Sequence, residues 1–152
     1  MRFWLAAVGR AGSDPAQRLF EHYAARLATP ITVHEVVPRR ALAPERLAAE
    51  EGRLLLAAVP KGATIVALDE KGATLDSVAL AAKIGAWRDE GVKDLAFLIG
   101  GADGLAAEVK KAAHFKLSLG PMTWPHLMVR AMLAEQLYRA QTILAGHPYH
   151  RG

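Results

Sequence analysis

Five short apolar runs, each followed by a helix-forming stretch, constrain this chain more than any other feature. Arg2–Val8 is apolar nearly throughout and reads as a buried strand. Asp14 then stands as an N-cap, Pro15 as the first helical residue and Gln17 as its capping-box partner, for a helix to about Leu27. Ile31–Val37 is rich in β-branched residues and predicts a second strand, broken by Pro38. Pro44 opens a helix to about Ala58, and Thr64–Leu68 is a third strand with Asp69–Gly72 as its turn. Thr74 is placed to cap a helix running to Asp89. Leu95–Ile99 is strand four, Leu105–Ala113 a short helix and Phe115–Leu119 strand five. A helix from about Pro125 to Ala145 ends the pattern. Strand and helix alternating five times means an α/β fold, with a mostly parallel sheet covered by helices on both faces.

The length of 152 residues suits one domain, 1–152, and 52% hydrophobic with 22% charged residues is ordinary for a folded chain. The absence of cysteine removes disulfides, thiolate metal sites and Cys nucleophiles. No run is long and apolar enough to span a bilayer. Gly9-Arg10 interrupts the N-terminal apolar stretch too early for a secretory segment, so the expected location is cytoplasmic. The net charge of +4 permits a polyanionic partner without requiring one.

The last helix carries Leu127, Met128, Val129, Met132, Leu133, Leu137, Tyr138, Ile143 and Leu144 around most of its circumference, with Glu135 and Arg139 spaced to pair. A surface helix shows one apolar stripe. So apolar a helix in so small a chain favours a homodimer through it over burial within the monomer.

Conventional chemistry is poorly served. Gly9-Arg-Ala-Gly12 lacks the third glycine of a dinucleotide loop and the Gly-Lys-Ser/Thr ending of a phosphate loop. Glu35 lies in mid-strand rather than at the carboxyl end where a ribose would be held. Ser118 has no Gly-x-Ser-x-Gly elbow. His147 and His150 have no acidic residue or thiol beside them to complete a metal site, and His126 reads as structural. The notable stretches are two loops at strand ends, Gly100-Gly101-Ala-Asp-Gly104 and Leu119-Gly-Pro-Met-Thr-Trp124, with the tail Gly146-His-Pro-Tyr-His-Arg151. Ligands bind at the carboxyl ends of parallel strands, where a backbone without Cβ atoms can approach them closely.

Those residues carry a resemblance. Leu98–Gly104, Met122–His126, Arg130, Glu135–Ala140 and His147–Arg151, with Leu68-Asp69 before Gly72, together resemble the bacterial SPOUT-class large-subunit ribosomal RNA methyltransferase H family. The likeness spans the whole chain. Ala102 and Gly120 stand where some family members carry Pro and Ser. The resemblance implies a C-terminal trefoil knot, otherwise nearly absent from proteins. It implies S-adenosylmethionine as methyl donor, no metal, and a homodimer. It implies methylation of N3 of a pseudouridine in 23S rRNA within the assembled 70S ribosome.

On that basis Leu68, Gly100, Gly101, Leu119, Gly120, Pro121, Met122, Thr123 and Trp124 are the expected cofactor-binding residues. His147, Tyr149, His150 and Arg151 are expected to complete catalysis, over the partner subunit's cofactor. Arg130 and Arg151 are candidates for RNA contact, Arg130 equally for a structural role. Competing readings are a knotted methyltransferase acting on tRNA or another rRNA base, a catalytically silent ribosome-binding protein, and a flavodoxin-like nucleotide binder.

Overall fold

The computed structural model describes residues 1–152 as strands β1 (Arg2–Val8), β2 (Ile31–Val36), β3 (Thr64–Thr74), β4 (Asp94–Ile99) and β5 (Phe115–Ser118), interleaved with five helices. These are α1 (Pro15–Ala24), α2 (Pro44–Ala57), α3 (Ser77–Asp89), α4 (Ala107–Ala112) and α5 (His126–Ala145). All strand pairs are parallel, in the order β2-β1-β4-β3-β5. The alternation of side chains along a strand divides the core in two. Phe3, Leu5 and Ala7 of β1, with Leu95, Phe97 and Ile99 of β4, join residues of α1, α3 and α5 in the larger cluster. Ala6, Val8 and Leu98 face the other way, onto Leu55 of α2 and Val109 of α4.

Three local expectations are corrected. Asp69–Gly72 does not end the third strand: β3 continues to Thr74, with its register against β5 shifting between Leu68 and Ala73. Thr74 is therefore held in the sheet opposite Ser118, and Asp76 caps α3, its carboxylate accepting from Ala79 N–H at 2.7 Å. Gln17 forms no capping box. Asp14 accepts from Ala16 N–H at 2.8 Å, while Gln17 donates forward to Glu21.

The long bulge in β3 depends on Gly72. A Cβ built there would lie 2.6 Å from the Lys116 carbonyl oxygen and 2.7 Å from its carbon. Both are backbone atoms of β5, with little freedom to move. Gly72→Ala is expected to lower stability by about 2–3 kcal/mol, the upper end of the usual overpacking cost. A urea-unfolding midpoint indistinguishable from wild type would refute that close contact.

α5 crosses one face of the sheet between α1 and α3, burying Ala131, Leu133, Ala134, Leu137 and Ala140. Much of its apolar circumference is thus covered within the chain, by more material than the length alone suggested. Met122 and Trp124 just before it, and Met128 and Leu144 on it, remain exposed. No helix of the chain is long and apolar enough to cross a membrane.

Candidate active site

The segments that follow Leu68, β4 and β5 meet at one edge of the sheet around a cavity of about 500 Å³. Leu68, Leu117, Leu119, Met122 and Trp124 supply apolar wall, and Gly100, Gly101 and Gly120 supply bare backbone. Three carboxylates, Asp69, Glu70 and Asp103, and two ammonium groups, Lys71 and Lys110, stand around them. A zwitterionic or cationic ligand with a flat apolar part suits such a lining.

Ser118 ties two of these loops together. Its hydroxyl accepts from Gly120 N–H at 3.0 Å and lies 3.0 Å from the Glu70 carbonyl oxygen, which accepts its proton. The loop after β5 is closed further by Trp124 Nε1, which donates to the Leu119 carbonyl at 3.4 Å. Lys71 N–H donates to the Asp69 carboxylate at 3.0 Å within the β3 bulge, and both residues line the cavity.

The C-terminal tail occupies a different place. Gly146, left-handed at φ 73°, ends α5 and sends the chain back along the helix. Tyr149 donates its phenolic proton to Glu135 at 3.1 Å and packs edge-on against Tyr138, with ring centroids 4.7 Å apart. Arg139 forks onto the same Glu135 oxygen through Nε and Nη2 and reaches His150 Nδ1 through Nη1 at 3.0 Å. Its guanidinium also lies over the Tyr149 ring. Burial pushes the Tyr149 phenol up, and the Glu135 carboxylate adds to the shift. Arg151 is exposed.

The family model described as "Predicted SPOUT methyltransferase" matches residues 1–150. Two similar proteins are each called ribosomal RNA large subunit methyltransferase H. The one from Rhodospirillum centenum is 61% identical over 151 residues and that from Paramagnetospirillum magneticum is 54% identical over 151 residues, with 99% of each chain covered in both. The chain belongs to the SPOUT methyltransferase H family. Its fold is also that of a solved structure, the SpoU methyltransferase AviRb from Streptomyces viridochromogenes in complex with AdoMet. That likeness has a TM-score of 0.50 at 12% identity and covers 92% of this chain and 58% of that one.

Set against the family expectation, Leu68, Gly100, Gly101, Leu119, Gly120, Met122, Thr123 and Trp124 all line the one cavity. Pro121 shapes the loop without lining it. His147, Tyr149, His150 and Arg151 line no part of the cavity. Arg130 is buried. Its side chain is 2% exposed and pairs with Glu35 at 2.5 Å while donating to the Gly9 carbonyl at 3.1 Å. Sequence reasoning passed over Ser118, Asp69 and Val129 as site residues. Only the β3 bulge, which no local pattern announced, brings Ser118 against Glu70. Glu135 and Arg139 were visible as a helical pair, but their hold on Tyr149 and His150 depends on the tail's reversal at Gly146.

Proposed function

We propose that the protein transfers the methyl group of S-adenosylmethionine to N3 of a pseudouridine in 23S rRNA, acting as a homodimer on the assembled 70S ribosome in the cytoplasm. One observation carries the proposal. Eight of the nine expected cofactor residues line a single cavity in a chain 61% identical, end to end, to a protein called ribosomal RNA large subunit methyltransferase H. The bound AdoMet of the AviRb structure is in keeping with it. The cavity fits such a ligand: bare backbone to meet an adenine edge, apolar side chains for its faces, and carboxylates for a cationic amino acid. The C-terminal trefoil knot belongs to the same reading.

S-adenosylmethionine supplies an electrophilic methyl on a sulfonium. The new bond forms from N3 to that carbon as the carbon–sulfur bond breaks, leaving S-adenosylhomocysteine. The protein's task is to align the reactants and favour loss of the N3 proton. The tail is suited to holding an anion. Guanidinium groups only donate, so His150 Nδ1 accepts from Arg139, and His147 Nδ1 accepts from Tyr149 N–H at 3.2 Å. A neutral imidazole in either place keeps its proton on Nε2, as a donor. Tyr149, with its phenol raised, is also a proton holder. Arg151 adds a positive charge for the developing N3 anion or a phosphate. The N3 proton then leaves for solvent instead of a side chain.

Because the tail reaches no part of its own cavity, a second copy is the natural place for it. The exposed Met122, Trp124 and Met128 beside the cavity and on α5 supply an apolar surface for that copy.

The reading is tested by incubating the protein and labelled S-adenosylmethionine with 70S ribosomes, 50S subunits and tRNA from cells lacking this gene. Label on N3 of a 23S pseudouridine, mainly with 70S, is the expected result. Label confined to tRNA would keep the chemistry and overturn the substrate. No label and no cofactor binding would favour a silent ribosome-binding protein.

A further inference from the structure

Glu51, outside the site described above, sits in a setting unusual for a carboxylate. On α2 the neighbouring Glu45, Arg46 and Arg53 are exposed, whereas Glu51 is turned inward and only 7% exposed. Its Oε1 is sealed from solvent with no hydrogen-bond partner. Burying a carboxyl without a partner costs stability, so such groups are uncommon away from functional sites. Burial pushes this carboxyl up toward the neutral acid, and Asp103 pushes the same way.

The carboxyl abuts the cavity wall from behind. A Cβ built on Gly101 would lie 2.8 Å from Glu51 Oε2, 3.1 Å from Oε1 and 3.2 Å from Val8 Cγ1. Gly101 lines the cavity; Glu51 does not. The turn they share is tight. Gly104 N–H donates to the Gly101 carbonyl at 3.0 Å, and a Cβ on Gly100 would lie 3.0 Å from the Gly104 oxygen. Backbone so closely backed stands where the group behind it allows.

We propose that Glu51 is a positioning residue for the cofactor cavity. Its carboxyl is the stop against which the Gly101 main chain rests, and it thereby sets the Gly100–Gly104 wall. The inference rests on reading the cavity as the S-adenosylmethionine site. With the carboxyl removed, the turn settles back into the space behind it and its backbone groups no longer meet the ligand squarely.

Calorimetric titration of S-adenosylmethionine into wild type, Glu51→Ala, Glu51→Gln, Gly101→Ala and the Glu51→Ala/Gly101→Ala double variant tests this. Glu51→Ala is expected to weaken binding by about tenfold, as misplaced contacts do, with kcat at saturating cofactor changed far less. Glu51→Gln, similar in shape and uncharged, restores binding to within about twofold of wild type. Gly101→Ala presses a methyl against the stop and weakens binding, and removing Glu51 in the same chain recovers part of the loss. A purely structural Glu51 would lower the melting temperature and leave Kd unmoved. Wild-type affinity in Glu51→Ala would overturn the inference alone, and should that variant not fold, wild-type affinity in Gly101→Ala would do the same. A wild-type protein that binds no S-adenosylmethionine would overturn the cavity's reading and this inference with it.

Discussion

Removing His147–Gly152 is expected to lower methyl transfer by roughly 10²–10³-fold, the range lost with positioned charge-stabilising groups. Cofactor affinity should stay within about twofold of wild type, because no residue beyond Val129 lines the cavity. The domain should survive the deletion. No residue from 147 to 152 belongs to either core cluster, and the tail is held by polar and aromatic contacts to α5. Single-turnover transfer with ribosomes, beside calorimetric titration of the cofactor, separates the two effects. Near-wild-type transfer by the shortened chain would exclude the tail from catalysis. A cofactor affinity that falls with the activity would instead place the tail in the binding site.

Loss of the Glu35–Arg130 ion pair is expected to destabilise the fold. Arg130 is buried beneath the β1–α1 loop, where Glu35 neutralises it and also accepts from Ala11 N–H at 2.8 Å. Glu35→Ala would leave a buried guanidinium with carbonyl partners only. Breaking a fully buried pair costs about 3–5 kcal/mol. Glu35 is 34% exposed, so the expected loss is smaller, about 2–3 kcal/mol. Urea unfolding of Glu35→Ala within about 0.5 kcal/mol of wild type would refute this.

The pair also sets a pH dependence. Burial alone would raise the Glu35 carboxyl, but the bonds from Arg130 and Ala11 outweigh it and hold the group below its ordinary value. A carboxyl lowered by folding stabilises fully above its unfolded value, and the contribution is lost as pH falls through the lowered one. The stability gap between wild type and Glu35→Gln should therefore be widest near neutrality and narrow on acidification. A gap that stays constant into acid would show that the charge is not what matters.

Glu35 shows how the sequence is both legible and opaque. The sequence reading set it in mid-strand, whereas it is the last residue but one of β2, and nothing local announced a partner 95 residues away. Thr74 is similar. Thr and Asp both cap helices, and choosing Asp76 over Thr74 required knowing that β3 runs on beside β5. The cavity residues were found through family resemblance, and the loops that carry them through glycine and proline placement. Glu51 was invisible, since a glutamate on a helix of mixed charge looks solvated until α2 is laid behind Gly101.

The alternating α/β plan, most strand positions and the shaped loops can be read from the residues in order along the chain. Those follow from local physics: side-chain alternation along strands, caps and prolines at helix starts, and glycine where a backbone must come close. Only packing fixed the strand order, the β3 bulge, the ion pair of Arg130 and the separation of tail from cavity within the chain. Each of these is a contact between residues far apart in the chain, selected by how whole elements pack and not by any preference of the residues concerned.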